Sequence, residues 1–356
     1  MITEPLEVAA PVEARTWRPK RIIVTRSALG FAHGRAIVER CTAAGLPVEE
    51  LPGDRLGIAE LNYAQAKATL AIVVAPPGKL RFQPIAPSAD WRVDLAEGCP
   101  AHCSYCYLAG SLKGPPITRA YANLPEIFAA LPAYLGQGKI TSQSKLRAHE
   151  GTTFEASCYT DPLGIEHLTG SLAALIAHFG AWDADVQLRF TTKFATVAPL
   201  LGLAHNGRTR MRASVNPAAY ARFEGGTALV ADRLRGLRRM ADAGYPIGLT
   251  VAPIIAAEGW REAYAGLFDL AAATLGDTPM TVELITHRYS PTSKAILDSW
   301  YPGSALDMGT EGRAEKRTKF GSVKHVYDKP TMTELRDWFH AEIARTLPAA
   351  RLLYWT

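Results

Sequence analysis

The chain has 356 residues, 48% of them hydrophobic and 21% charged, with a formal net charge of +5. That apolar content supports a large buried core and excludes a chain disordered throughout, while so mild a positive charge excludes a protein that coats nucleic acid by electrostatics alone. There is no apolar run of about eighteen residues, and the opening MITEPLEVAAPVEART mixes acids with prolines, so neither a membrane span nor a signal peptide is expected and a cytoplasmic location follows.

Residues 1–18 read as a flexible tail. A strand-like RIIVTR (21–26), a helical GRAIVERCTAAG (34–45) and an apolar ATLAIVVAP (68–76) then predict a small N-terminal α/β extension over 19–90, broken by Pro76, Pro77 and Gly78. From residue 91 the runs WRVDLAEG, TFEASCY, VQLRFTT, TRMRASV, IGLTVAP and MTVELIT alternate with expected helices of about ten to eighteen residues. Six such βα units demand a parallel sheet with right-handed crossovers, so an α/β fold with a partial (β/α)6 TIM-type barrel is predicted over 91–300. The last part, 301–356, reads as a basic hairpin, a helix near 331–346 and a closing strand RLLYW, with a preceding helix near 291–299.

Chemistry in barrels of this kind sits at the carboxyl ends of the strands. The unusual residues fall there: a cysteine cluster after the first run, Cys158 and Thr160 after the second, Lys193 after the third, Ser214 at the fourth and Ala252 at the fifth. Five cysteines, three of them within residues 99–106, are too clustered for a disulfide framework. Cys99, Cys103 and Cys106 have Cys-x3-Cys-x2-Cys spacing, which lets three thiolates from one loop ligate three irons of a [4Fe-4S] cubane and leaves the fourth iron open to S-adenosyl-L-methionine. The alternative is a zinc site completed by His102 or His167, and with it a non-catalytic nucleic-acid binding module, although zinc sites usually carry paired Cys-x2-Cys units. Cys41, in a helical stretch, reads as a core residue.

The segments GCPAHCSYCYL, FEASCYTDPLGIEHLT, RFTTKF, FEGGTA, AGYPIGLTVAPI, EGWREAY, VELITHR and RLLYWT, collinear from about residue 20 to 356, resemble the spore photoproduct lyase family of radical S-adenosylmethionine enzymes. The resemblance implies a DNA-repair lyase that splits 5-thyminyl-5,6-dihydrothymine in ultraviolet-damaged DNA into two thymines through a 5′-deoxyadenosyl radical. A relative acting on a different pyrimidine lesion is the alternative within the family. By the same resemblance Cys158 is the hydrogen donor, and Tyr105 and Tyr107 pass the hydrogen back toward 5′-deoxyadenosine. Lys193 and Ser214, with Thr160, surround the cosubstrate, and Ala252 contacts the lesion through its backbone; Asn216, two residues beyond Ser214 on the same strand face, is expected to join the cosubstrate group. Thr160 stands where serine is usual in the family, which keeps the hydroxyl and adds a methyl. Glu155, Asp161 and His287 also match positions near the site.

Arg313, Lys316, Arg317, Lys319 and Lys324 crowd into twelve residues with Phe320 and His325 interleaved. A solvated face is the plain reading of such a run. The resemblance makes it the DNA-binding hairpin, with phosphate contacts for affinity and Phe320 or His325 as a wedge that holds the duplex apart. The implied partners are damaged DNA and a reduced electron donor such as flavodoxin or ferredoxin, with a monomer and no membrane expected.

Overall fold

Two mainly parallel sheets organise the chain in the computed structural model, which describes residues 16–112, 114–141, 143–317 and 323–356. The tail expected over 1–18 therefore lies, up to residue 15, outside the described residues, as do Lys319 and Phe320. The smaller sheet has the order 48–50, 21–24, 69–73, 118–121, 96–97, with only the last pairing antiparallel. Thr69–Val73 lies inside this sheet and is apolar on both faces, as a strand covered on both sides must be. Cys41, on the helix Ala32–Ala43, is fully buried against Ile37 and Leu168 as a core residue, and burial pushes its thiol up to about 11.

The larger sheet runs 350–355, 280–286, 247–254, 209–215, 186–192, 152–156, 89–93, 83–85. Its six strands from Ala89–Val93 to Met280–Thr286 follow one another in chain order and pair in parallel, which is the expected partial barrel. The closing strand Ala350–Trp355 adds a seventh parallel strand at one edge, and Gln83–Ile85 adds an antiparallel one at the other. Pro291–Trp300 and Lys329–Thr346 are the two C-terminal helices, the second capped by Asp328, whose carboxylate accepts the Thr331 N–H at 2.9 Å. Among the described residues no helix is long and apolar enough to cross a membrane.

Two expectations are corrected. The first barrel strand is Ala89–Val93 rather than 91–98, because Leu95 hands its N–H to the Ser157 hydroxyl and its carbonyl to Tyr121, and the chain then crosses as Ala96–Glu97 into the smaller sheet. The crossover after Val186–Thr192 is not a long helix but one 3₁₀ turn, Ala198–Leu200, since Pro199, Gly202 and Gly207 interrupt the run.

The barrel interior is unusually polar. Arg212, 1% exposed, pairs with Glu155 and, at 2.8 Å, with Glu283, which also accepts the Tyr354 hydroxyl at 2.9 Å; fully buried Arg189 reaches Glu150 at 2.9 Å. Arg212 lies two strands from each of its carboxylates, so these opposite charges meet across the inner face of the sheet, where burial makes an unpaired charge costly.

Candidate active site

The cysteine loop starts at Gly98, whose φ of +79° is open to glycine and whose Cα approaches the neighbouring strand so closely that a Cβ would lie 2.0 Å from the Ile117 carbonyl oxygen. Past that turn, His102–Cys103 pairs antiparallel with Glu224–Gly225, Ser104 N–H donates to the Phe223 carbonyl at 3.0 Å, and Cys106 N–H closes back on the Cys103 carbonyl at 3.2 Å. The three thiols are free, and burial pushes all of them up, Cys99 to about 12. Three unbridged thiols on one anchored loop with no fourth cysteine on it fit a cubane that keeps one iron for a small-molecule ligand. The zinc alternative finds less support. His167 is spent on the Trp17 carbonyl at 2.8 Å, and His102 Nδ1 faces the Tyr63 hydroxyl at 3.4 Å.

Cys158 is brought to the barrel mouth by Ser157, which adopts φ +56° after the strand Thr152–Ala156 and is held there by its N–H to the Val93 carbonyl at 2.7 Å. Burial, then the charges of Glu155 and Asp94, raise the Cys158 thiol well above its ordinary range, so it stays protonated. The Tyr107 hydroxyl donates to the Cys158 carbonyl oxygen at 2.7 Å. Tyr107 leaves 65% of its surface open.

Opposite the loop, Lys193 spends its ammonium on the Ser214 hydroxyl at 2.8 Å, Glu224 at 2.9 Å and the Ala252 carbonyl at 3.1 Å. Asn216 donates to the same two acceptors, Glu224 at 3.1 Å and Ala252 at 3.2 Å. The Tyr105 hydroxyl also ends on Glu224, and Arg233 pairs with its other oxygen at 2.6 Å. Tyr105 and Tyr107 thus flank Cys106 but bond to different partners. Thr160 stands apart from this network, with its Oγ1 buried and without a partner among the described residues, an orphan that a bound ligand's polar group would satisfy.

Glu224 is the residue that sequence reasoning missed. Burial pushes its carboxyl up, but the Lys193 ammonium and the Arg233 guanidinium outweigh it and hold it down at about 2. The signal was within FEGGTA: an acid followed by two glycines, of which Gly225 brings its backbone close to His102 and Gly226 takes φ +74°. Glu155, Asp161 and His287, which also match the family, are each tied into the fold. Asp161 accepts from Thr192 and from the Lys193 backbone, both at 2.7 Å, Glu155 belongs to the buried ion network, and His287 is bound by Arg313.

The basic segment is an antiparallel hairpin, Arg313–Arg317 with Val323–Tyr327. Its residues divide into two groups. Arg313 is turned into the fold: it donates to the His287 carbonyl at 2.8 Å and lies 3.8 Å from the Tyr327 ring centroid, so it anchors the hairpin rather than offering a free cation. His325 is joined to Tyr289 by reciprocal backbone bonds, with its ring 5.2 Å from the Tyr289 ring. Lys316, Arg317 and Lys324 are exposed, and Lys316 faces Lys324 directly across the ladder. Like charges placed opposite one another cost stability unless an anion joins them.

The spore photoproduct lyase family model matches residues 17–356. A spore photoproduct lyase from a Geobacillus species is 37% identical over 352 residues, covering 95% of this chain and 98% of that protein, and the one from Bacillus subtilis is 36% identical with the same coverage. A solved spore photoproduct lyase double mutant with bound AdoMet and dinucleoside spore photoproduct has a TM-score of 0.87 and 36% identity, covering 96% of this chain and 100% of that one. A spore photoproduct lyase complexed with the dinucleoside spore photoproduct gives the same values.

Proposed function

Because this chain belongs to the spore photoproduct lyase family, we propose that it is a radical S-adenosylmethionine lyase that returns 5-thyminyl-5,6-dihydrothymine in ultraviolet-damaged DNA to two thymines. Cys99, Cys103 and Cys106 hold the [4Fe-4S] cluster. Together with S-adenosylmethionine, that cluster supplies a 5′-deoxyadenosyl radical to start the reaction at the lesion. Lys193, Ser214 and Asn216 offer the cosubstrate a preformed polar wall, and Thr160 Oγ1 offers one unpaired hydroxyl.

The observation that carries the reading is the contact between Tyr107, next to cluster ligand Cys106, and the carbonyl of Cys158. It supports reading Tyr107 as the hydrogen-return phenol for the donor Cys158. Cys158 breaks its S–H bond homolytically, the hydrogen atom goes to the thymine radical left by bridge scission, and the thiyl takes a hydrogen atom from the Tyr107 hydroxyl. The phenoxyl regains one from 5′-deoxyadenosine, with Tyr105 held nearby by Glu224. The hydrogen count closes, because the atom first taken from the lesion is matched by the one that Tyr107 returns to Cys158, so conversion of the lesion to two thymines is itself redox-neutral. The exposed Lys316, Arg317 and Lys324 would hold the duplex by its phosphates, and the backbone of Ala252 would contact the lesion. A reduced flavodoxin or ferredoxin supplies the first electron, and the enzyme works as a monomer in the cytoplasm.

The test is anaerobic reconstitution followed by lesion-bearing DNA and dithionite, with intact thymines and 5′-deoxyadenosine both measured. Cys158→Ala should still cleave S-adenosylmethionine while the thymine radical diverts to side products. Clean repair by that variant removes Cys158 from the role.

A further inference from the structure

The N-terminal extension touches the cysteine loop through one short helix, Tyr63–Lys67. That helix is built to hold its orientation: Asn62 accepts the Gln65 N–H at 3.0 Å and Gln65 returns the bond to the Asn62 N–H at 3.1 Å, a reciprocal cap on a single turn. Positions four apart share a helix face, so Tyr63 and Lys67 are presented together. Tyr63 reaches the Tyr301 hydroxyl and His102 Nδ1, with the Trp300 ring 5.0 Å away. Lys67 is only 7% exposed and drives its ammonium into the loop, donating to the carbonyl oxygens of both Cys99 and Ala101.

This lysine has an unusual electrostatic position. Among the described residues no carboxylate lies within ion-pair distance of it, although the buried arginines Arg147, Arg189, Arg210, Arg212 and Arg233 each have one. A buried ammonium satisfied by carbonyls alone is costly unless an anion lies close by. The group that the loop is built to hold is such an anion, since three thiolates outweigh the charge of the cubane core and reduction adds one more negative charge.

We infer that Lys67 is a positioning residue of the redox centre: its ammonium pins the Cys99–Ala101 turn and, as the buried countercharge of the cluster, raises the cluster's reduction potential. A fixed cation stabilises the more negative, reduced state over the oxidised one, and both charge and hydrogen bonding are levers on cluster potential. The extension is thereby part of the electron-accepting apparatus and more than a cap on the barrel. The inference rests on the radical S-adenosylmethionine reading and deepens it.

The experiment uses the full chain, reconstituted anaerobically, as wild type, Lys67→Met and Lys67→Arg, with iron and sulfide content measured and the cluster potential read by electron paramagnetic resonance during a redox titration. Lys67→Met should lower the potential so that the ratio of reduced to oxidised cluster at a fixed poise falls at least tenfold, which is 59 mV for one electron. Lys67→Arg should recover more than half of that shift. If Lys67→Met cannot hold the cluster while Lys67→Arg can, the requirement for charge is upheld by uptake instead. A full cluster at unchanged potential in Lys67→Met, or loss of the cluster in both variants, overturns the inference. A wild-type chain that takes up no four-iron cluster sinks the parent reading as well, which separates the two failures.

Discussion

Replacing Glu224 with glutamine keeps the shape of the side chain and removes its charge, so it isolates what that charge contributes. The carboxylate gathers Lys193 at 2.9 Å, Asn216 at 3.1 Å, Arg233 at 2.6 Å and the Tyr105 hydroxyl in a place that is 5% exposed. Burial works against its charge, yet the two cations hold it from an ordinary 4.5 down to about 2. At about 1.4 kcal/mol per pH unit, that displacement is worth about 3 kcal/mol of stability, the same size as the roughly 3–5 kcal/mol lost when one partner of a buried ion pair is removed. The sign follows from linkage: a carboxyl whose pKa is lower in the folded state contributes fully above about 4.5, and the contribution disappears as pH falls through about 2. Urea unfolding of the cluster-free wild type and Glu224→Gln should therefore differ by about 3 kcal/mol at pH 7, and the gap should close progressively below pH 4.5. A difference under about 1 kcal/mol at pH 7, or one that stays constant into acid, would show that Glu224 is not the countercharge of Lys193 and Arg233.

Three further outcomes are expected. Gly98→Ala must push a Cβ to within 2.0 Å of the Ile117 carbonyl and strain φ +79°, so iron and sulfide uptake should fall sharply while the far-ultraviolet dichroism is kept; normal uptake would mean the loop has another way to turn. Arg212→Met leaves Glu155 and Glu283 buried without their shared cation and should cost about 3–5 kcal/mol in urea unfolding, whereas a neutral result would mean water already reaches those carboxylates. Lys316→Glu combined with Arg317→Glu should weaken duplex binding and reduce the slope of log affinity against log salt by about 2, one phosphate contact for each residue; an unaltered slope places the exposed end of the hairpin off the DNA.

The barrel and the cysteine loop were legible because each is written in local pattern. Period-two apolar runs such as VQLRFTT separated by helical stretches predict parallel strands in chain order, and Cys-x3-Cys-x2-Cys places three thiols on one loop whatever surrounds it. Thiol, phenol, amide and ammonium groups at strand ends were identifiable as residue types, and the resemblance in collinear motifs assigned them roles. What local pattern does not contain is pairing between distant segments. Glu224 became the hub of the site only when its two-residue strand lay beside His102–Cys103, more than a hundred residues earlier. Arg313 and His325 stood in the basic run with Lys316 and Arg317, and only packing against His287, Tyr289 and Tyr327 separated anchors from free cations. Lys67, one more lysine on a short helix, became a buried ammonium under the cysteine loop for the same reason. The sequence by itself therefore determined the class of fold and the kinds of chemical group available. The tertiary structure decided which charges face each other away from water, because burial and distance set an electrostatic partner's strength and neither is a property of neighbouring residues in the chain.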